Sequence, residues 1–256
     1  MTLNAQVLDI ETFPITPTCL CPVPVAIGLA GARTFYRHEG SIHLYSARPL
    51  NQGLDTVLCD RVWRMSRDSE LGFKNWDMKS VILVNVMEEI LDDNVDLIGH
   101  RIAYDLAILL HWYLSESRTN RDMVLDKIRS GRVFDTRMTE AQILGMSEDA
   151  IARAGTGLCQ DRSLALSSLT RKYAPHLSMP SKTGTDRGWS TRWEELYRVP
   201  PEYWPEDATR YLITDLRATK AVAEGMVAQG HELVPLTEEV LNCHIALCKE
   251  RARTFP

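Results

Sequence analysis

The chain contains no stretch of about 20 apolar residues, the length a helix needs to cross a bilayer. Its first residues, MTLNAQVLDIE, lack the basic and apolar regions of a secretory signal. A soluble, cytoplasmic protein with no membrane partner is therefore expected. No Cys-x-x-Cys pair occurs. The six cysteines, Cys19, Cys21, Cys59, Cys159, Cys243 and Cys248, are scattered without the spacing of a structural zinc site and are expected as reduced thiols. There is no G-x-x-x-x-G-K-[ST] phosphate loop, which disfavours a P-loop motor or kinase. Internal repeats and low-complexity tracts are also missing. Nor is there an excess of positive charge: 29 Lys and Arg against 34 Asp and Glu give a formal net charge of −5. That balance does not exclude nucleic acid. Carboxylates that hold metal ions add to the negative total, yet phosphate can bind through those metals.

What remains is an ordinary globular composition. The 256 residues are 45% hydrophobic and 25% charged, enough for a sizeable core. Residues 5–12, 25–30 and 42–45 read as strands. Their connections are too short for helical crossovers, so an antiparallel meander is expected. Residues 13–24 carry four prolines and read as a loop, while residues 47–75 are polar and irregular. A helix is predicted over 77–92, from the apolar face of Met78, Val81, Ile82, Val84, Met87, Ile90 and Leu91. A strand at 95–99, a helix at 102–113, a strand at 133–134 and a helix at 135–144 follow, which implies parallel crossovers. Between them lies a polar stretch with Arg118, Arg121, Lys127, Arg129 and Arg132. Residues 145–160 read as a linker. Helices are predicted at 163–173, 207–227 and 236–253, and residues 174–205 as loop. The fold class is α/β, a mixed sheet of five strands flanked by helices.

Acidic residues interrupt this pattern at three places. Asp9 and Glu11 lie in the strand Val7-Leu8-Asp9-Ile10-Glu11-Thr12, where acids are disfavoured. Period-two geometry puts both on one face. A cation between them would relieve their repulsion; otherwise they are solvated at a strand end. Asp105 sits inside the apolar helical run AYDLAILL and needs a partner, whether a ligand, a backbone group or Arg101. Asp215 shares a helix face with Tyr211, four residues earlier.

In order, spacing and context these residues resemble the DEDD, or DnaQ-like, 3′→5′ exonuclease superfamily in its tyrosine-containing subgroup. DIET resembles the first motif, GHRIAYD the second and YLITD the third. Phe134-Asp135-Thr136 and the helix SLALSSL resemble flanking elements, so the likeness covers residues 5–228. Arg101 stands where the family commonly has Asn. The resemblance implies an RNase H-like sheet, with residues 1–230 as the exonuclease domain and 231–256 as a C-terminal helical extension. It implies catalysis by Asp9, Glu11, Asp105, Tyr211 and Asp215, the four carboxylates holding two divalent ions, Mg²⁺ or Mn²⁺. Tyr211 would orient the attacking water. Thr12, Phe13 and Arg101 would meet the substrate, with backbone support and core packing as the alternative for Thr12 and Phe13. Ile15 is a candidate wedge against the last base, with core packing as the same alternative. His100 is expected to be structural.

The implied substrate is the 3′ end of a single strand, DNA ahead of RNA. The third motif and its long helix look most like proofreading domains of family A DNA polymerases, so a polymerase domain or subunit is an expected partner. An RNA-trimming exoribonuclease of the RNase D or oligoribonuclease kind shares the same site and remains an alternative. So does an inactive nucleic-acid-binding scaffold.

Overall fold

The computed structural model describes residues 4–13, 22, 24–31, 42–46, 57–63, 77–82, 90, 92, 94–112, 118–156, 161–177, 188–197, 199 and 203–254. Seven strands form one sheet: β1 (Ala5–Thr12), β2 (Pro24–Gly31), β3 (Ile42–Ser46), β4 (Val57–Trp63), β5 (Asp77–Ile82), β6 (Asp96–Gly99) and β7 (Val133–Asp135). Their order across the sheet is β5-β4-β3-β2-β1-β6-β7. From β1 to β5 each strand pairs antiparallel with the next. On the other side of β1, β6 and then β7 join in parallel. The protein is thus α/β, with an antiparallel meander that continues into parallel strands.

The sheet differs from the sequence-based expectation at two points. The sheet has seven strands rather than five. The second strand that raises the count is β5, which lies where a helix is predicted over 77–92. Met78, Val81 and Ile82 satisfy a helical face and a strand equally over so short a run. What decides is a partner: β5 pairs with β4 from Val57↔Ile82 to Val62↔Asp77, and β4 lies within the polar stretch 47–75.

The described helices are α1 (Ile102–Trp112), α2 (Arg118–Arg129), α3 (Thr136–Ile143), α4 (Glu148–Thr156), α5 (Leu166–Tyr173), α6 (Glu206–Ala228) and α7 (Glu238–Thr254). Both α2 and α4 fall where no helix is predicted. α2 turns Val124 and Ile128 into the core, and between them the buried Lys127 donates from Nζ to the Asp92 and Val95 carbonyls. A lysine used this way hides the apolar stripe. α4 buries only Ala154, Gly155 and Thr156. Gly155 serves a close approach there, since a Cβ would lie 2.6 Å from Met138 Sδ and 2.9 Å from Val240.

The helices sit on both faces of the sheet. Leu8, Ile10, Ile27 and Leu29 face α1, packing with Leu106 and Leu109 and with Val240 and Leu241 of α7. The segment expected as a C-terminal extension therefore supplies α7 to this core. Val7, Ala30 and Leu44 face the other way, toward Leu212 and Leu216 of α6. Gly28 pairs with Asp9 across the β1–β2 ladder. A Cβ there would meet Leu216 at 2.8 Å, so the glycine lets α6 lie close to the strand that carries the acids.

Candidate active site

β1 runs from the buried residues Ala5 to Leu8 toward partly exposed ends at Asp9, Glu11, Thr12 and Phe13. Because Val7 packs toward α6, the alternation of the strand sends Asp9 and Glu11 to the same side. α6 runs past on that side with Asp215 on its buried stripe. The ligand atoms of Asp9, Glu11 and Asp215 all lie within 4.8 Å of one another, a group that could hold a metal ion. Hard carboxylate oxygens of this kind suit a hard divalent cation and not a soft one.

Tyr211 lies one helical turn before Asp215 and hydrogen-bonds its carboxylate. Burial, followed by the charges of Asp215, Glu11 and Asp9, pushes the Tyr211 phenol far above its ordinary range. Its ring packs edge-on to Trp193, with centroids 6.3 Å apart, and Trp193 packs in turn on Trp189 and Trp204. This aromatic wall comes from a segment, 174–205, that reads as loop in the sequence.

Asp105 approaches from the opposite face, on the first turn of α1. It is buried, and its Oδ1 accepts the Ile10 N–H at 3.1 Å. Asp105 is thus pinned to β1 between Asp9 and Glu11, beside but outside the three-carboxylate group. Burial raises its pKa well above the ordinary carboxyl range, and the Asp9 charge raises it further. Like-charged groups so close favour a cation among them.

The β6–α1 junction is built for this placement. Asp135 at the end of β7 caps α3 by accepting from the Arg137 and Met138 N–H groups, and its other oxygen accepts from Ile102 N at the start of α1. His100 bonds Thr136 Oγ1 through Nδ1 at 3.0 Å, a structural link of the kind expected of it. Burial pushes the Asp135 carboxyl from 3.8 up to about 6, against the pull of its three N–H donors. A carboxyl raised in the fold contributes stability that is complete below its unfolded value of 3.8 and is lost as pH rises through about 6. Asp135→Asn should remove this component. Urea denaturation between pH 4 and 7 should give a flatter stability profile for the variant than for the parent; parallel profiles would contradict the assignment.

Arg101 occupies the sharpest point of the junction. Among the described residues it is the single non-glycine with positive φ, at 70°. An ordinary side chain in that left-handed conformation costs about 1 kcal/mol, while Asn tolerates it. Asn in place of Arg101 would meet this backbone demand with less strain. The Arg101 guanidinium lies 5.8 Å from the centre of the Tyr104 ring, and its charge opposes the rise in the Asp105 pKa. Arg101→Asn should raise unfolding stability by about 0.5–1 kcal/mol, read from the urea midpoint at constant m-value. A loss of stability would mean that the guanidinium contacts outweigh the backbone strain.

Thr12 and Phe13 follow Glu11 at the partly exposed end of β1. The Thr12 hydroxyl pairs with Tyr104 Oη at 2.7 Å, beside a register shift between Glu11 and Thr12. Phe13 meets Tyr197 edge-on at 5.2 Å. Ile15 lies outside the described residues. Tyr104, Trp193 and Tyr197 carry no role in the sequence reading, although Tyr104 stands inside the second motif. An aromatic residue next to a buried acid was the available signal.

No protein-family model matches the chain, and no curated protein matches it. Among the described residues no helix is long and apolar enough to cross a membrane.

Proposed function

We propose that the protein is a metal-dependent 3′→5′ exonuclease of the DEDD type, tyrosine-containing subgroup. Its substrate is the 3′ end of single-stranded DNA, in a proofreading role beside a DNA polymerase domain or subunit. We read the meander that continues into parallel strands as an RNase H-like sheet, extended by two antiparallel edge strands. The observation that carries the reading is the gathering of Asp9, Glu11 and Asp215 within 4.8 Å, with Tyr211 hydrogen-bonded to Asp215.

In this reading Asp9, Glu11 and Asp215, with Asp105 fixed beside them, would hold two Mg²⁺ or Mn²⁺ ions. When bound, such ions lower the pKa of a coordinated water and stabilise the leaving 3′ oxygen. The chain's own residues do the rest. Tyr211 would donate to Asp215 and offer its oxygen as acceptor to the attacking water. Thr12, Phe13 and Arg101 surround the terminal nucleotide. The Trp193 wall behind Tyr211 excludes bulk water from that side.

One assay tests activity, polarity and sugar preference together. Single-stranded DNA and RNA, labelled at either end, are incubated with Mg²⁺, Mn²⁺ or EDTA. Shortening of DNA from the 3′ end, stopped by EDTA, is the expected result. Faster loss of RNA would move the assignment to the exoribonucleases. Both polymers intact in every metal would overturn it.

A further inference from the structure

A second feature lies away from the carboxylates, in a groove of about 770 Å³ between α3, α4 and α7. Met138, Ile151 and Val240 form apolar parts of its lining. Exposed Glu148, Asp149 and Glu239 also line it, and Arg153 is the one cationic side chain among its described lining residues. We propose that this groove is a docking site for a partner protein, which inserts a short apolar segment flanked by Lys or Arg.

The chemistry selects that occupant. The volume falls in the range of sites that bury a ligand, and the apolar lining offers anchor contacts to the nonpolar side chains of a bound segment. Three carboxylates against one guanidinium repel phosphate, so the groove does not extend the path of the nucleic acid. They attract cationic flanks, which fixes the sign of the partner's charge.

The groove is also joined to the carboxylate strand. Thr156, at the end of α4, lines it, and the Thr156 carbonyl accepts from Nδ1 of the buried His244 at 3.2 Å. The His244 ring meets Tyr104 edge-on, with centroids 5.7 Å apart. Tyr104 in turn bonds Thr12 beside Glu11. His244 is therefore a positioning residue, and a segment that shifts α4 against α7 moves Tyr104. This last consequence rests on the exonuclease reading; the docking itself does not.

The probe is a fluorescent amphipathic peptide of Leu, Ala and Lys, compared by anisotropy with the same peptide carrying Glu for Lys. The full chain should bind the Lys peptide and not the Glu peptide. Reversing the rim with E148K, D149K and E239K together should weaken binding about tenfold or more. Ala246→Trp, which fills the groove, should weaken it without a charge change. Asp9→Ala with Asp215→Ala should leave it unchanged, which separates the groove from the other acidic site. No binding of the Lys peptide, equal binding of both peptides, or equal binding by the rim-reversed chain would overturn the proposal. For the coupling, saturating peptide should change the exonuclease KM or kcat in the parent and not in His244→Phe, with peptide affinity retained. An identical response in both removes His244 from the path. A chain without nuclease activity defeats the exonuclease reading, while the anisotropy data still decide the docking.

Discussion

Asp9→Ala and Asp215→Ala are each expected to reduce metal-dependent degradation by a factor on the order of 10³ or more. The two residues come from different elements, β1 and α6, and each supplies an oxygen to the same compact group. Removing either leaves too few hard ligands to hold a cation in fixed geometry. The fold should survive, because neither side chain is needed to satisfy the sheet ladder and the helix backbone is intact. Loss of one charge from a crowded acidic group relieves repulsion, so the melting temperature of Asp9→Ala in EDTA should be unchanged or raised, while in Asp215→Ala the loss of the Tyr211 acceptor offsets that gain. Initial rates on single-stranded DNA, with thermal melts in EDTA, check both parts. Activity retained in both variants would remove these residues from the chemistry.

Tyr211→Phe is expected to lower kcat by about 10- to 100-fold and to leave metal binding unchanged. The substitution keeps the ring and its edge-on contact with Trp193, so packing is preserved. What it deletes is one hydroxyl, the group that donates to Asp215 and would accept from the water. Burial and three neighbouring carboxylates push that phenol's pKa up, and the role assigned to it is that of a hydrogen-bonding group. Single-turnover rates at saturating Mn²⁺, measured across pH, give the answer. An unchanged rate would leave Tyr211 with a packing role only.

The acids were legible in the sequence because each breaks a local rule. Asp9 and Glu11 interrupt a strand, and Asp105 interrupts an apolar helix. Their counterpart Asp215 was legible only through its spacing from Tyr211. The sequence could not show that Asp105 spends Oδ1 on the Ile10 N–H and so stands apart from the three-carboxylate group. That depends on how α1 leaves β6, and the positive φ of Arg101 sets the turn. The meander was readable from β1 to β3, where short connections exclude crossovers. It was lost at β4 and β5, because a strand in a polar stretch declares itself only through its partner. α2 and α4 were hidden for a different reason. One turns a lysine inward, and the other packs on alanine and glycine, so neither displays an apolar stripe. The aromatic wall behind Tyr211 was equally silent, since Trp189, Trp193 and Trp204 are spread through short 3-10 turns and loop without a period.

The exonuclease reading stands on Asp9, Glu11 and Asp215 holding a divalent cation. Mn²⁺ binding to the full chain, followed by electron paramagnetic resonance of the free ion, tests it without requiring turnover. The parent should remove Mn²⁺ from solution in a saturable way, with Mg²⁺ competing. The chain carrying both Asp9→Ala and Asp215→Ala should leave the signal of the free ion undiminished. Equal uptake by the two proteins would contradict the account.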